Sequence, residues 1–71
     1  MTLVQLRHFV TLAKTGSFVK ASGALCITQP ALSRSIKALE DELGRLLFDR
    51  VGKRIELTSF GHEVLARSNA L

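Results

Sequence analysis

The sequence predicts a mainly α fold: a winged helix-turn-helix with a three-helix core and a small β-hairpin wing, followed by one more helix. Three observations carry this prediction. Leu32, Ile36, Leu39 and Leu43 recur at spacings of four, three and four, which draws one apolar stripe down a helix. A shorter helical run ends just before Leu25-Cys26-Ile27, so two helices meet across a tight turn. Two short apolar-rich runs, Leu46 to Arg50 and Arg54 to Leu57, flank Val51-Gly52-Lys53, the pattern of a hairpin with a basic tip.

In order along the chain, Thr2-Leu3-Val4-Gln5 is a capping-box pattern, with Met1 and Leu6 placed for a hydrophobic staple. Leu3, Leu6, Phe9, Val10 and Ala13 then form an inward stripe until Lys14, Thr15 and Gly16 end the helix, predicted over 3–14. Gly16 suits the left-handed residue after a helix and Lys14 the negative end of its dipole. Ser17 caps a second helix with Phe18, Ala21 and Leu25 facing inward, kept brief by Gly23. Thr28 caps the third, where Pro30 sits among first-turn positions whose N–H groups have no intrahelical partner. Gly44 ends that helix and the hairpin follows. Thr58 caps the last helix, in which Val64, Leu65, Ser68 and Leu71 form a candidate seam for a partner. That stripe is still running at Leu71 without a C-cap signal, as in a truncated helix.

Size and composition narrow the function classes. At 71 residues the chain is one small domain near the lower limit for a self-sufficient core. Its hydrophobic residues (46%) include neither Trp nor Tyr, so the core is aliphatic plus four Phe. A single cysteine excludes an internal disulfide and fits a reducing compartment. The N-terminus lacks a signal-peptide pattern and no run reaches the length of a membrane span, so the expected setting is cytoplasmic, with no membrane partner. Nothing resembles a nucleophile–base pair or a metal cluster: His8 and His62 are far apart, and Glu40, Asp41 and Glu42 read as a solvated helix end. Neither an enzyme nor a metal site is expected.

The charge is more telling. Of ten cations, six (Arg34, Lys37, Arg45, Arg50, Lys53 and Arg54) lie within 21 residues, in a chain of net charge +4. A field shaped this way orients a polyanion. On the third helix Gln29, Pro30, Ser33, Arg34 and Lys37 share a face away from the apolar stripe, with an amide, a hydroxyl, two long cations and no carboxylate. A helix gripping a core on one side and offering such groups on the other suits a DNA major groove. A winged-helix protein-interaction module is the competing reading, for which apolar or acidic groups at Ser33, Arg34 and Lys37 would be expected instead.

The residues also match a family pattern: Leu6 and Phe9; Gly16-Ser17-Phe18, Ala21 and Leu25; Thr28-Gln29-Pro30-Ala31-Leu32-Ser33-Arg34; Ile36; Leu39-Glu40; Leu43-Gly44; Leu47-Phe48; Arg50; Leu57-Thr58 and Gly61. Over nearly its whole length the chain resembles the N-terminal DNA-binding domain of LysR-type bacterial transcriptional regulators. It departs at Ser22, Cys26 and Phe60, where a second Ala, a His and a small residue are common. The resemblance implies a winged helix-turn-helix over residues 1–58 and the start of a linker and dimerisation helix over 59–71. It implies a homodimer, or a higher oligomer in a full-length protein, on an inverted-repeat site in double-stranded DNA. No cofactor is expected in this segment; a small-molecule effector belongs to a C-terminal domain not contained in it.

By the same likeness Gln29, Pro30, Ser33, Arg34 and Lys37 line the major groove with Thr28 near a phosphate. Arg50, Lys53 and Arg54 serve the wing, against phosphates or the minor groove. Chemistry leaves alternatives beside each role. Gln29 can pair with adenine N6/N7 and Pro30 can pack on a thymine methyl, or both simply begin a helix. Arg34 takes guanine O6/N7 or clamps a phosphate. Ser33 suits a phosphate or water-mediated contact, as does Lys37 unless it pairs with Glu40 or Asp41 along the helix. Ser17 is first a cap, although a cap hydroxyl beside a helix N-terminus can also meet a phosphate.

Overall fold

The computed structural model describes residues 1–52 and 54–69. Its elements run α1 (Leu3–Thr15), α2 (Phe18–Leu25), α3 (Gln29–Leu43), β1 (Phe48–Val51), β2 (Arg54–Leu57) and α4 (Ser59–Asn69). Lys53 and Leu71 lie outside the described residues.

The local signals act where the sequence places them. In the capping box of α1, Thr2 Oγ1 accepts from Gln5 N at 3.0 Å while Gln5 Oε1 accepts from Thr2 N at 3.1 Å. Gly16 closes α1 at φ 68°, and Gly44 closes α3 at φ 73°. The turn between α2 and α3 is less conventional, because Cys26 itself takes the left-handed conformation at φ 58°. That backbone ends α2 and returns the Ile27 N–H to Ser22 O at 3.1 Å.

The core is a single cluster of Phe9 and Leu12 from α1, Ala21 from α2, Leu32, Ile36 and Leu39 from α3, and Leu47 from the loop before β1. Half-buried Phe18, Phe48, Ile55, Leu57, Phe60, Val64 and Leu65 lie against it. The rings of Phe9 and Phe48 are 5.5 Å apart and tilted, joining α1 to the hairpin. Ser22, the one buried polar side chain among the described residues, directs its hydroxyl to Val19 O at 3.0 Å and so leaves no orphan polar group.

Two expectations are corrected. Leu3 is 81% exposed and belongs to no inward stripe. The buried face of α1 is centred on Phe9 and Leu12; nine residues is two and a half helical turns, so Leu12 points opposite to Leu3. Glu40 is not part of a solvated helix end. Its Oε2 accepts from Leu47 N at 2.8 Å and from Phe48 N at 3.3 Å. The chain doubles back after Gly44, and the amides that open the hairpin then face the last turns of α3. Asp41 and Glu42 remain exposed, although Glu42 meets the Met1 amino group.

The hairpin is rooted from both sides. β1 and β2 are antiparallel, with Phe48 opposite Leu57 and Arg50 opposite Ile55. Thr58 donates its hydroxyl to Leu46 O at 2.7 Å and its N–H to Leu47 O at 3.0 Å, and its Oγ1 accepts from Gly61 N at 2.9 Å, capping α4. Gly61 is buried where α4 crosses this loop. A methyl group there would be driven into the Leu47 carbonyl and would stand 2.9 Å from Leu57 Cδ2, so the close approach requires glycine.

Candidate nucleic-acid interface

The third helix divides its circumference cleanly. Leu32, Ile36 and Leu39 are buried, and Gln29, Pro30, Ser33, Arg34 and Lys37 are all exposed. Thr28, also exposed, accepts from Ala31 N at 3.2 Å through Oγ1, so its hydroxyl fixes the start of α3. Ser17 does the same for α2, accepting from Lys20 N at 3.2 Å. Lys37 Nζ lies 3.9 Å from Asp41 Oδ1. Both groups of that pair are more than two-thirds exposed, so it is a loose tether that leaves the ammonium available.

The wing residues take different positions. Strand alternation puts Arg50 on the face shared with half-buried Ile55, toward the helices. Its guanidinium lies 5.7 Å from the centre of the Phe18 ring. Arg54 is exposed and 4.0 Å from Glu56, one ion pair in open solvent. Asp49 stands directly opposite Glu56, so the outward face of the hairpin carries acid as well as base. Lys53, expected at the tip, lies outside the described residues.

Arg50 is therefore the junction. With Phe18 it borders a shallow depression completed by Gln29, Pro30 and Ser33, and a second completed by Ser33, Lys37 and Ile55. A third opening, of about 400 Å³, runs from Arg50 and Arg54 to Gly16, Ser17, Phe18 and Val19 at the start of α2. The N-termini of α2 and α3 thus both open toward Arg50, and their helix dipoles add to its charge. Arg34 borders neither of the first two depressions. It stands on the outer edge of α3, with no carboxylate within ion-pair distance among the described residues.

Sequence reasoning missed the Phe18 platform and the Glu40 tie. Phe18 reads as an inward residue, and its contact with a cation 32 positions later has no local signature. Glu40 could be found only by asking which acceptor serves the amides that open the hairpin.

The dimerisation candidates divide too. Val64 and Leu65 are half-buried against the chain's own core. Ser68 donates its hydroxyl to Val64 O at 2.8 Å. Val64 and Ser68, with Met1, Leu6, Leu43, Phe60 and Arg67, also line an open groove of about 380 Å³, mostly apolar. Leu71 is outside the described residues.

Comparison with known proteins gives the same outline. The family described as bacterial regulatory helix-turn-helix protein, lysR family, matches residues 3–62. The chain is 51% identical over 69 residues to the SDS degradation transcriptional activation protein of a Pseudomonas species, covering 97% of this chain and 22% of that protein. It spans less than half the length of the curated relatives that it matches at 46–52% identity. Among solved structures, the BenM DNA-binding domain in complex with benA site 1 DNA superposes with a TM-score of 0.93 at 41% identity, covering 99% of this chain and 79% of that one. The CbnR DNA-binding domain–DNA complex gives 0.92 at 36% identity, covering 99% and 80%. From its fold and from the family pattern along residues 3–62, the chain belongs to the LysR family of bacterial regulatory helix-turn-helix proteins.

Proposed function

We propose that the chain is the DNA-binding part of a longer transcriptional regulator, reading double-stranded DNA through α3 with the hairpin alongside. One observation carries the proposal: every candidate reading residue of α3 is exposed while the opposite side of the same helix is buried. In this reading Gln29, Pro30, Ser33 and Arg34 meet base edges or the sugar-phosphate beside them, and Thr28, Ser17 and Lys37 meet phosphates. Arg50, Lys53 and Arg54 follow the adjacent backbone or minor groove. Residues 1–58 form the reading unit, and residues 59–71 begin a helix that joins a second copy. The apolar groove beside α4 supports that pairing. Two copies would present α3 to successive major grooves roughly 34 Å apart, on an inverted repeat. The role is binding, as the relatives are regulators, and its setting is the bacterial cytoplasm at the nucleoid. An effector, where the longer protein uses one, binds outside this segment.

Selection from a pool of random duplexes tests the reading. The chain should enrich a defined sequence, and Arg34→Ala should weaken binding to that duplex by about 1–3 kcal/mol while sparing a scrambled one. If each of two copies neutralises about four phosphates, log K should fall against log salt with a slope near −7. Failure to enrich any sequence, with equal binding to all duplexes, would sink the proposal.

A further inference from the structure

Burial holds α3 to the body of the protein but is non-directional, and sequence reading needs direction. A helix with its side chains has a radius of about 5–6 Å, so turning it 20° about its axis moves a side-chain tip by about 2 Å. That displacement is enough to break a hydrogen bond to a base. A second kind of contact fixes the angle. On the flank of α3 facing α1, Ser35 Oγ lies 2.7 Å from His8 Nδ1. Both side chains are half-buried. Among the described residues this is the only hydrogen bond between two side chains. Ser35 stands between Arg34, on the outer edge of α3, and Ile36, in the core. Seven residues before His8, just ahead of α1, the Met1 amino group meets Glu42, seven residues after Ser35 on α3, in the same antiparallel register.

We propose that His8 is a positioning residue for sequence reading: through Ser35 it sets the rotation of α3 about its own axis, and so the angle at which Gln29, Ser33 and Arg34 are presented. The inference rests on the reading that α3 lies against DNA. His8 touches no nucleic acid itself. Its bond costs nothing in lost alternatives on binding, because it is made before DNA arrives. Loss of it lets α3 rock, which penalises contacts that demand angle and spares those that demand only charge.

The test uses the chain of 71 residues, a duplex enriched by the wild type from a random pool, and the same duplex scrambled. Binding is measured at a temperature where circular dichroism shows every variant fully helical. Ser35→Ala and His8→Leu should each lose roughly 3- to 10-fold in affinity for the enriched duplex and bind the scrambled duplex as the wild type does. The double variant should lose no more than either single one, because both remove the same bond. His8→Asn, which keeps a polar atom near the Nδ1 position, should hold discrimination. Equal losses on both duplexes, additive losses in the double variant, or an Asn variant as impaired as the Leu variant would each overturn the proposal and assign the pair to stability alone. If the wild type enriches no sequence, the DNA reading itself fails and this inference goes with it; if it enriches one and the variants discriminate as well, only the inference fails.

Discussion

The α3 face and the hairpin both display cations, and they aim them by opposite means. Arg34 and Lys37 are directed by helical geometry: three buried residues, Leu32, Ile36 and Leu39, hold the other side of the same helix. Arg50 sits on a four-residue strand of a two-stranded sheet, a unit that is marginal alone. Its direction comes from elsewhere in the chain, through its register with Ile55, the ring of Phe18, and the ties of Glu40 and Thr58 at the hairpin root. One region is anchored because its own residues are buried. The other is placed because distant residues hold it.

That difference predicts how each region breaks. Leu32→Ala should have the largest effect. Leu32 is fully buried at the centre of the core, and a cavity there costs about 2–5 kcal/mol, a large share of what a domain this small has to lose. Urea unfolding should show helices and hairpin failing together, at a lower midpoint with an unchanged slope. A midpoint equal to the wild type would mean that burial does not anchor α3. Glu40→Ala should do less and do it locally. It leaves the amides of Leu47 and Phe48 without their acceptor, a cost of about 1–3 kcal/mol, toward the lower end because water reaches a half-buried site. Amide exchange should quicken at Leu47 and Phe48 and not at Leu32 or Ile36, and Glu40→Gln, which keeps an acceptor oxygen, should recover most of the protection. Equal acceleration in α3 would erase the distinction between the two regions.

The same division explains what the amino-acid order discloses. The caps at Thr2, Ser17 and Thr28, the turns at Gly16 and Gly44, and the stripe from Leu32 to Leu39 are decided within a few residues, and each is legible. The exposed face of α3 follows from that stripe, so Gln29, Ser33, Arg34 and Lys37 are legible as a group. Leu3 shows the limit even in a helix. Several apolar residues at workable spacing offer more than one stripe, and only the neighbouring helices choose the one centred on Phe9 and Leu12. Glu40, Phe18 and Gly61 mark the other limit. Their partners are 7, 32 and 14 positions away along the chain, at Leu47, Arg50 and again Leu47, and depend on a fold that must already exist. Charge alone likewise groups Arg50 with Arg54, whereas the strand register turns one toward the helices and leaves the other beside Glu56.

The smallest effect is the sharpest test of how the hairpin aims its cation. Phe18→Leu keeps an apolar side chain beside the core and removes the ring face beneath the Arg50 guanidinium. A cation over a ring at an exposed site is worth about 0.5–1 kcal/mol, and without it Arg50 must be ordered at the moment of binding. If Arg50 meets backbone phosphate, the loss should be of that size, equal on enriched and scrambled duplexes, and absent in Phe18→Tyr, which restores the ring. Stability should change by less than about 1.5 kcal/mol, because Phe18 is only half-buried and leucine fills much of its volume. The contrast with Arg34→Ala is then one of kind: a residue directed by its own helix is read out in sequence preference, and a residue directed by a distant ring in affinity for any duplex. A Phe18→Leu variant that lost affinity only on the enriched sequence would place Arg50 among the base-reading groups, and the two regions would differ in construction but not in task.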